Sequence, residues 1–330
     1  MEMAEAARQP CASSTACAGD GRSTRLNLDE IRAIAFHGTA QCSRPVLWRL
    51  LLGVMAVDAA EWPALLEQKR AQYRMWTLEF SPRPAAVSAG DSALWREIEK
   101  GVVLTAWQDV SRTRSELSFF ADGGRGQHSM LRILFLYAKL HPDVGYMQGM
   151  NEVLAPILFV YGTDAAQEWA AEAEADAFHS FTSIAGAMRL LYAPSRSDPS
   201  RSGADTQMDR LMMLLRQHDP VLWQHLNSIG LTPDLFSFRW YMTLLGREFT
   251  MSATLRVWDA LLADPKRFSF LHYVNCALVR SRRTTLLRLG FSAALKWLQA
   301  PPDSAFDVER LLQDAERMRC HDRQLDEARS

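Results

Sequence analysis

The 330-residue chain is long enough for two ordinary domains, or for one large helical domain folded in two lobes. Its composition, 48% hydrophobic and 23% charged, is typical of a folded water-soluble protein and excludes a mostly disordered or membrane-embedded chain. Lys and Arg number 37 against 38 Asp and Glu, so the net charge is 37 − 38 = −1. No overall positive field therefore favours nucleic acid or an anionic lipid surface.

The first 24 residues are small, polar and aperiodic, which predicts a disordered N-terminal segment. Their Ala, Ser and Arg content leaves a transit peptide as an alternative, although Glu2, Glu5 and Asp20 count against it. The five cysteines are scattered and form no CxxC pair, which indicates reduced thiols in a cytosolic protein.

From Asn27 to about residue 300 the apolar residues recur at helical spacing, and sustained alternation and hairpin signals are absent. We therefore predict an all-α fold. Two stretches rich in Pro, Ser, Gly and Asp, 81–92 and 194–205, predict long loops. The second loop divides the chain into an N-lobe of about 25–193 and a C-lobe of about 206–300. A C-terminal helical tail is predicted over 301–330.

Segment 129–140, SMLRILFLYAKL, is apolar nearly all round and predicts a helix at the centre of a bundle. Pro142 ends it, and a turn containing Gly145 leads into another apolar helix near Met150. A polar Tyr-Met-Gln-Gly step is thus expected just before a buried helix, where the core can hold its geometry.

Charged residues alternate with large aromatic residues in the second half of the chain. Since a buried charge requires a partner, we predict that Arg239 or Arg256 pairs with Asp259 or Glu248. His218, His225 and His272 lack the spacing of metal ligands and are predicted to be ordinary surface or lobe residues; no metal ligand is assigned.

The usual catalytic motifs are absent from the sequence. It contains no GxxxxGK[ST] loop, no HExxH, no GxSxG and no kinase DFG or HRD set, so we expect neither a nucleotide site nor a cofactor of its own. Such a chain can still complete the active site of another protein. An arginine finger does so by adding positive charge where phosphoryl transfer develops negative charge.

Five blocks stand out along the chain, in the order SRPVLWRLLLG (43–53), DVSRT (109–113), GYMQGMN (145–151), PDLFSFRWYMTLLGREF (233–249) and RVWDALL (256–262). Together and in this order they resemble the TBC-domain Rab GTPase-activating proteins, and their sequences are most similar to those of the compact member-13 subgroup. The resemblance covers about residues 36–300 and implies a two-lobed helical TBC (Rab-GAP) domain over 25–300.

The family carries an arginine finger in an IxxDxxR motif and a glutamine finger in a YxQ motif. The first corresponds here to Ala106 through Arg112, with Ala in place of the leading Ile. The second is Tyr146-Met147-Gln148, which is intact. The family's proline three residues after the arginine is Ser115 in this chain. Both departures concern the packing that supports the finger and leave its charge available.

The resemblance implies that the chain accelerates GTP hydrolysis by a GTP-bound Rab small GTPase, in the service of vesicle trafficking. Arg112 would stabilise charge on the γ-phosphoryl group and Gln148 would orient the attacking water. GTP and Mg²⁺ would belong to the Rab. The protein would be cytoplasmic, would bind no nucleic acid, and would reach endomembranes only through its partners. Supporting roles fall on Asp109, which would hold Arg112, and on Tyr146, Gly149 and Asn151.

Each of these assignments has a structural alternative. Arg112 can be a surface arginine that forms an ordinary i,i+3 ion pair with Asp109. Gln148 can be a loop amide bonded to backbone, and Tyr146 a core aromatic. At the level of function, the alternatives are a non-catalytic Rab-binding scaffold and a helical adaptor, the latter disfavoured because no internal repeats are present.

Overall fold

The protein is described here by a computed structural model that covers residues 25–80, 102–192, 203–266, 268–300, 302 and 306–328. These residues form helices joined by turns, with only an isolated β-bridge between Arg25 and Asp58, so the predicted all-α fold is confirmed. No helix in these ranges has the length and apolar character needed to cross a membrane. The predicted disordered segment 1–24 and loop 81–92 lie outside the described residues.

The chain forms two compact units. The first contains the described residues up to Ile34 and those from Thr39 to Gly186; the second contains Ala35–Gly38 and the described residues from Ala187 onward. Of the predicted loop 194–205, residues 194–202 lie outside the described residues; its last three residues belong to a helix that begins at Gly203.

The first unit holds most of the helices from the N-terminal half of the chain. α1 and α8 end in residues that belong to the second unit. These helices are α1 (Leu28–Phe36), α2 (Arg44–Leu51), α3 (Trp62–Phe80), α4 (Val102–Val110), α5 (Arg125–Leu140), α6 (Met150–Gly162), α7 (Gln167–Ala171) and α8 (Ala173–Tyr192).

Helix α5 is central to the first unit, as segment 129–140 predicts: it is buried on several sides and packs against α4 and α6. One polar cluster crosses its flank, where Ser129 Oγ and Tyr73 OH each donate to the Glu174 carboxylate at 2.6 Å and Arg132 binds the same carboxylate. Burial alone would raise the pKa of Glu174. The hydrogen bonds and the positive charge of Arg132, together with the hydrogen bonds from Ser129 and Tyr73, lower this pKa instead. The cluster fixes α5 beside α8.

A fully buried ion pair lies elsewhere in the first unit. Arg49 Nε donates to Asp176 Oδ2 at 2.8 Å, and both side chains are 0% exposed. Arg70 binds both oxygens of the same carboxylate at 2.8 and 2.9 Å. The Arg49 guanidinium also lies 4.1 Å from the ring centroid of Tyr161. Arg49 Nη1 also lies 3.6 Å from Asp164 Oδ2, so two guanidinium groups face two carboxylates and the charges are compensated, as burial requires.

The second unit contains the helices that follow residue 202, and its most extensive contact joins the helices 269–281 and 308–327. Residues 301–330 were predicted as a C-terminal helical tail; helix 308–327 lies in this segment and buries Leu311, Leu312, Ala315 and Met318 within the unit. The helices are α9 (Gly203–His218), α10 (Pro220–Ser228), α11 (Asp234–Met242), α12 (Met251–Ala263), α13 (Ser269–Ser281), α14 (Arg283–Leu286), α15 (Phe291–Gln299) and α16 (Val308–Glu327).

The prediction that Arg239 or Arg256 pairs with Asp259 or Glu248 is confirmed for one of the pairs. Arg239 binds the buried carboxylate of Glu248 through two hydrogen bonds of 2.7 and 2.9 Å. Arg256 donates two hydrogen bonds to the carboxylate of Glu309 on α16, at 2.5 and 2.9 Å, and this pair was not predicted. This partner lies 53 positions away in the sequence, beyond the reach of local spacing rules.

Candidate functional site

Helix α4 and the turn after it carry the first motif. Asp109 lies in the last turn of α4, where Ala106 and Val110 are buried and fix the helix against the core. The amide of Arg112 donates to Asp109 O at 3.2 Å, and the amide of Thr113 donates to Val110 O at 3.1 Å. Arg112 is thus presented in a hydrogen-bonded turn at the end of an anchored helix.

The side chain of Arg112 is 74% exposed, which a residue needs in order to reach a partner protein. Its Nε donates to the carbonyl of Gln108 at 2.9 Å, and its Nη2 lies 3.4 Å from Asp109 Oδ1. A carbonyl at a helix C-terminus carries partial negative charge, so this end of α4 favours the guanidinium. The Gln108 carbonyl is therefore the closer contact, and the expected contact with Asp109 is present but long.

Gln148 and Gly149 form the turn that precedes α6. Gly149 has φ = 102° and ψ = −16°, a left-handed conformation that residues with a Cβ adopt only under strain. The amides of Glu152 and Val153 donate to the Gly149 carbonyl, which fixes the first turn of α6. Gln148 is exposed, and its amide group forms no hydrogen bond with another residue in the described part of the chain. Backbone hydrogen bonds fix the turn that carries this side chain, while its amide group is available to a partner.

Tyr146 links the two motifs. Its hydroxyl donates to Asp109 Oδ2 at 2.8 Å and lies 3.2 Å from Asn151 Oδ1. A phenol has only one hydroxyl proton to donate, and the shorter distance indicates that it donates this proton to the Asp109 carboxylate. Burial, and then the hydrogen bond to Asp109, raise the pKa of Tyr146 well above its usual range, so the hydroxyl remains a donor at neutral pH.

A second link lies deeper. Asn151 Nδ2 donates to Thr113 Oγ1 at 2.8 Å, and Thr113 Oγ1 donates to the Asp109 carbonyl at 2.7 Å. Thr113 is 1% and Asn151 4% exposed, so these bonds form away from solvent. Two side-chain connections therefore join the Arg112 turn to the segment that carries Gln148.

The structure thus brings the two predicted motifs together within the first unit. Asp109, Tyr146 and Asn151 form one hydrogen-bonded group. Arg112, which contacts Asp109, and Gln148, which lies two residues after Tyr146, are exposed. Thr113 belongs to the same group and was not predicted; the only sequence signal for it is its place directly after Arg112. Ser115, which stands where the family has proline, is exposed and supports no core packing.

Comparison with known proteins shows the family of this chain. The RabGAP-TBC family profile, described as the Rab-GTPase-TBC domain, matches residues 41–287, and the match includes both motifs. The chain belongs to this family. The mouse protein TBC1 domain family member 13 is 38% identical, over 88% of this chain and 94% of the relative.

A more distant relative and a solved structure agree with the family. GTPase-activating protein gyp1 of Schizosaccharomyces pombe is 27% identical, over 88% of this chain and 57% of the relative. The crystal structure of the Ypt/Rab-GAP domain of Gyp1p has a TM-score of 0.73 and 25% identity, and covers 90% of this chain and 93% of that one. The two-lobed TBC fold expected from the sequence is therefore confirmed.

Chemically, the exposed pair combines a permanent cation with a neutral amide. A guanidinium stays charged at any physiological pH and matches phosphate oxygens with a planar fork of donors. A primary amide can accept from water and donate to a phosphate oxygen at once. Neither group needs to titrate, and the arrangement suits stabilisation of charge and orientation of water rather than acid–base catalysis.

Proposed function

We propose that this chain is a GTPase-activating protein for Rab small GTPases, with Arg112 and Gln148 inserted in trans beside the GTP of a Rab. The proposal rests on family membership and on one structural observation: the exposed Arg112 and Gln148 are carried by segments that Asp109, Tyr146, Asn151 and Thr113 connect. The nucleotide and Mg²⁺ belong to the Rab partner in its GTP-bound state.

In this mechanism Arg112 leaves the Gln108 carbonyl and binds oxygens of the γ-phosphoryl group as negative charge develops there. Gln148 orients the water that attacks. An arginine finger contributes about 10³–10⁵ in rate, or roughly 4–7 kcal/mol of transition-state stabilisation. The site lowers the barrier by positioning and charge, so we expect little pH dependence of the acceleration near neutrality.

The test is single-turnover release of phosphate from a broad panel of GTP-loaded Rabs, with and without the protein. We expect acceleration of at least one Rab by the wild type, and loss of nearly all of it in Arg112→Ala and Gln148→Ala. Arg112→Lys is expected to be almost as inactive, because a lysine keeps the charge but lacks the planar fork.

Matched controls separate a finger from an ordinary exposed residue. Arg317 is 72% exposed and forms an i,i+3 ion pair with Asp314, so it resembles Arg112 in exposure and local pairing. Gln41 is an exposed glutamine in a turn, like Gln148. Arg317→Ala and Gln41→Ala should retain full activity. If the wild type accelerates no Rab yet binds Rab-GTP, the chain is a scaffold and the proposal is wrong.

A further inference from the structure

Three potential metal ligands meet in the second unit, far from both motifs in the sequence. His218 is the last residue of α9, while His321 and Asp322 lie near the end of α16. His218 Nε2 is 3.0 Å from Asp322 Oδ1, and His321 Nδ1 is 3.5 Å from the same oxygen. One ligand atom from each residue can be chosen so that all three lie within 4.8 Å of one another.

The position of His218 Nε2 is unusual for a hydrogen-bonded histidine. The side chain is only 9% exposed, and its buried Nε2 makes no hydrogen bond of acceptable geometry despite the 3.0 Å contact with Asp322. A hydrogen bond requires the acceptor to lie close to the N–H axis. Two ligands of one cation instead each point at the cation, so that neither needs to lie on the axis of the other. A contact of 3.0 Å without a hydrogen bond, as between His218 and Asp322, fits this second arrangement.

The carboxylate of Asp322 is oriented by its own partners. Gln217 Nε2 donates to Oδ1 at 2.6 Å, and Tyr273 OH donates to Oδ2 at 3.1 Å. Hydrogen bonds of this kind commonly fix a metal-binding carboxylate. The carbonyl end of α9 coincides with His218, and its partial negative charge also favours a cation here.

The donor set identifies the class of cation. Two imidazole nitrogens and one carboxylate oxygen suit Zn²⁺, which binds such atoms at about 2.0–2.2 Å in a tetrahedral arrangement. Tetrahedral ligands at that distance lie about 3.3–3.6 Å from each other. The separation of His321 Nδ1 from Asp322 Oδ1, 3.5 Å, falls within this range, and that of His218 Nε2 from the same oxygen, 3.0 Å, is shorter, so these two groups would move slightly apart on binding the ion. The His321 side chain is 59% exposed, so its ring has room to rotate toward the other two ligands.

We propose that His218, His321 and Asp322 bind one Zn²⁺ ion, with water in the fourth position. The ion would attach the end of α16 to the end of α9 and so fasten the C-terminal helix within the second unit. From the sequence we expected no metal ligand, because His218, His225 and His272 lack the spacing of ligands. The proposed site differs from that expectation because it includes His321. It is independent of the proposed activity toward Rab GTPases and of the Mg²⁺ of the partner.

The experiment uses the full chain after removal of metal, with Co²⁺ as the spectroscopic probe. We expect one Co²⁺ per chain, the visible absorption of tetrahedral coordination, displacement by one equivalent of Zn²⁺, and a rise in the melting temperature with Zn²⁺. His321→Ala should weaken binding by at least about tenfold, since loss of an outer partner alone costs that much in metal affinity. Because His321 is exposed, this variant should fold normally by circular dichroism.

Two variants serve as controls. His128→Ala removes an exposed histidine in α5 of the first unit and should leave the binding constant unchanged. Cys320→Ser removes an exposed thiol beside His321 and should also bind normally. The proposal is overturned if the wild type binds no stoichiometric Co²⁺, if His321→Ala binds as well as the wild type, or if Cys320→Ser loses the ion.

Discussion

Asn151 Nδ2 donates to Thr113 Oγ1 at 2.8 Å, and this buried hydrogen bond joins the helix after Gln148 to the turn that carries Arg112. Neither side chain is exposed enough to reach a partner protein. Their role under the proposed function is therefore to position the two exposed residues relative to each other.

Replacement of Thr113 by Val should test this role, because valine keeps the shape and removes the hydroxyl. The Asn151 amide and the Asp109 carbonyl would each lose a partner, at a cost of about 1–3 kcal/mol in the free energy of unfolding. We expect acceleration of GTP hydrolysis to fall by about 10- to 100-fold, since small displacements of catalytic groups are costly. Chemical denaturation and single-turnover kinetics measure the two effects.

Thr182→Val is the matched control for Thr113→Val. The Thr182 hydroxyl donates only to the Phe178 carbonyl of its own helix, at 2.9 Å. Its loss should leave activity unchanged. Equal activity of the Thr113 and Thr182 variants would show that the buried link does not position the fingers.

Gly149 supplies the left-handed turn between Gln148 and α6. Gly149→Ala introduces a Cβ at φ = 102° and should destabilise the protein by about 1–2 kcal/mol. If the turn relaxes, Gln148 moves, so activity should fall more than the loss of stability explains at a temperature where the variant is folded. Thermal unfolding and phosphate release are the measurements.

For Gly186→Ala we expect the opposite effect on stability from that of Gly149→Ala. Gly186 lies within α8, and an added Cβ there meets no atom within 4 Å. Alanine in an open helical position should raise stability by roughly 0.5–1 kcal/mol and leave activity unchanged. A destabilised Gly186→Ala together with a neutral Gly149→Ala would contradict the conformational argument.

Sequence patterns predicted the features that depend on neighbours in the chain. The apolar segment 129–140 predicted a central helix, and the GYMQGMN block located the turn before α6. Contacts between distant positions could not be predicted in this way, because no spacing rule relates Thr113 to Asn151 or Arg256 to Glu309. The place of Thr113 in the site and the meeting of His218 with His321 and Asp322 depend on such contacts.

Replacement of Trp258 should be among the most destabilising single substitutions in the second unit. It is 1% exposed, and its Nε1 donates to the Leu244 carbonyl at 3.0 Å. Leu244 and Leu245 have φ of 48° and 61°, so this bond holds a backbone segment in a strained conformation. Trp258→Ala should cost about 3–5 kcal/mol in the free energy of unfolding through the cavity it leaves.

Trp258→Phe separates packing from the hydrogen bond. It fills most of the cavity but leaves the Leu244 carbonyl without its donor, so we expect an intermediate loss of about 1–3 kcal/mol. Urea denaturation of both variants gives the comparison. If Trp258→Phe is as stable as the wild type, the indole hydrogen bond does not stabilise the turn at Leu244.

We expect His272 to make the stability of the protein depend on pH. It was predicted to be an ordinary surface or lobe residue; it lies within the second unit, is 7% exposed, and has its Nδ1 3.1 Å from Tyr241 OH. Burial, and then the charge of Arg210, lower the pKa of His272 from 6.5 to about 4. The unfolded chain therefore binds a proton between these pH values and the folded chain does not. Stability is fully present above pH 6.5 and is lost as the pH falls toward 4, by about 3 kcal/mol in all.

The measurement is the free energy of unfolding in urea from pH 7.5 to pH 4.5, for the wild type and for His272→Gln. The glutamine side chain can accept a hydrogen bond from the Tyr241 hydroxyl and does not titrate, so the variant should lose less stability across this range. The Glu174 carboxylate, whose pKa is also lowered, contributes its own loss of stability only toward more acidic pH, because its unfolded pKa is near 4.5. The difference between the two proteins above pH 5 therefore isolates His272. Identical slopes would show that the imidazole becomes protonated in the folded state without cost.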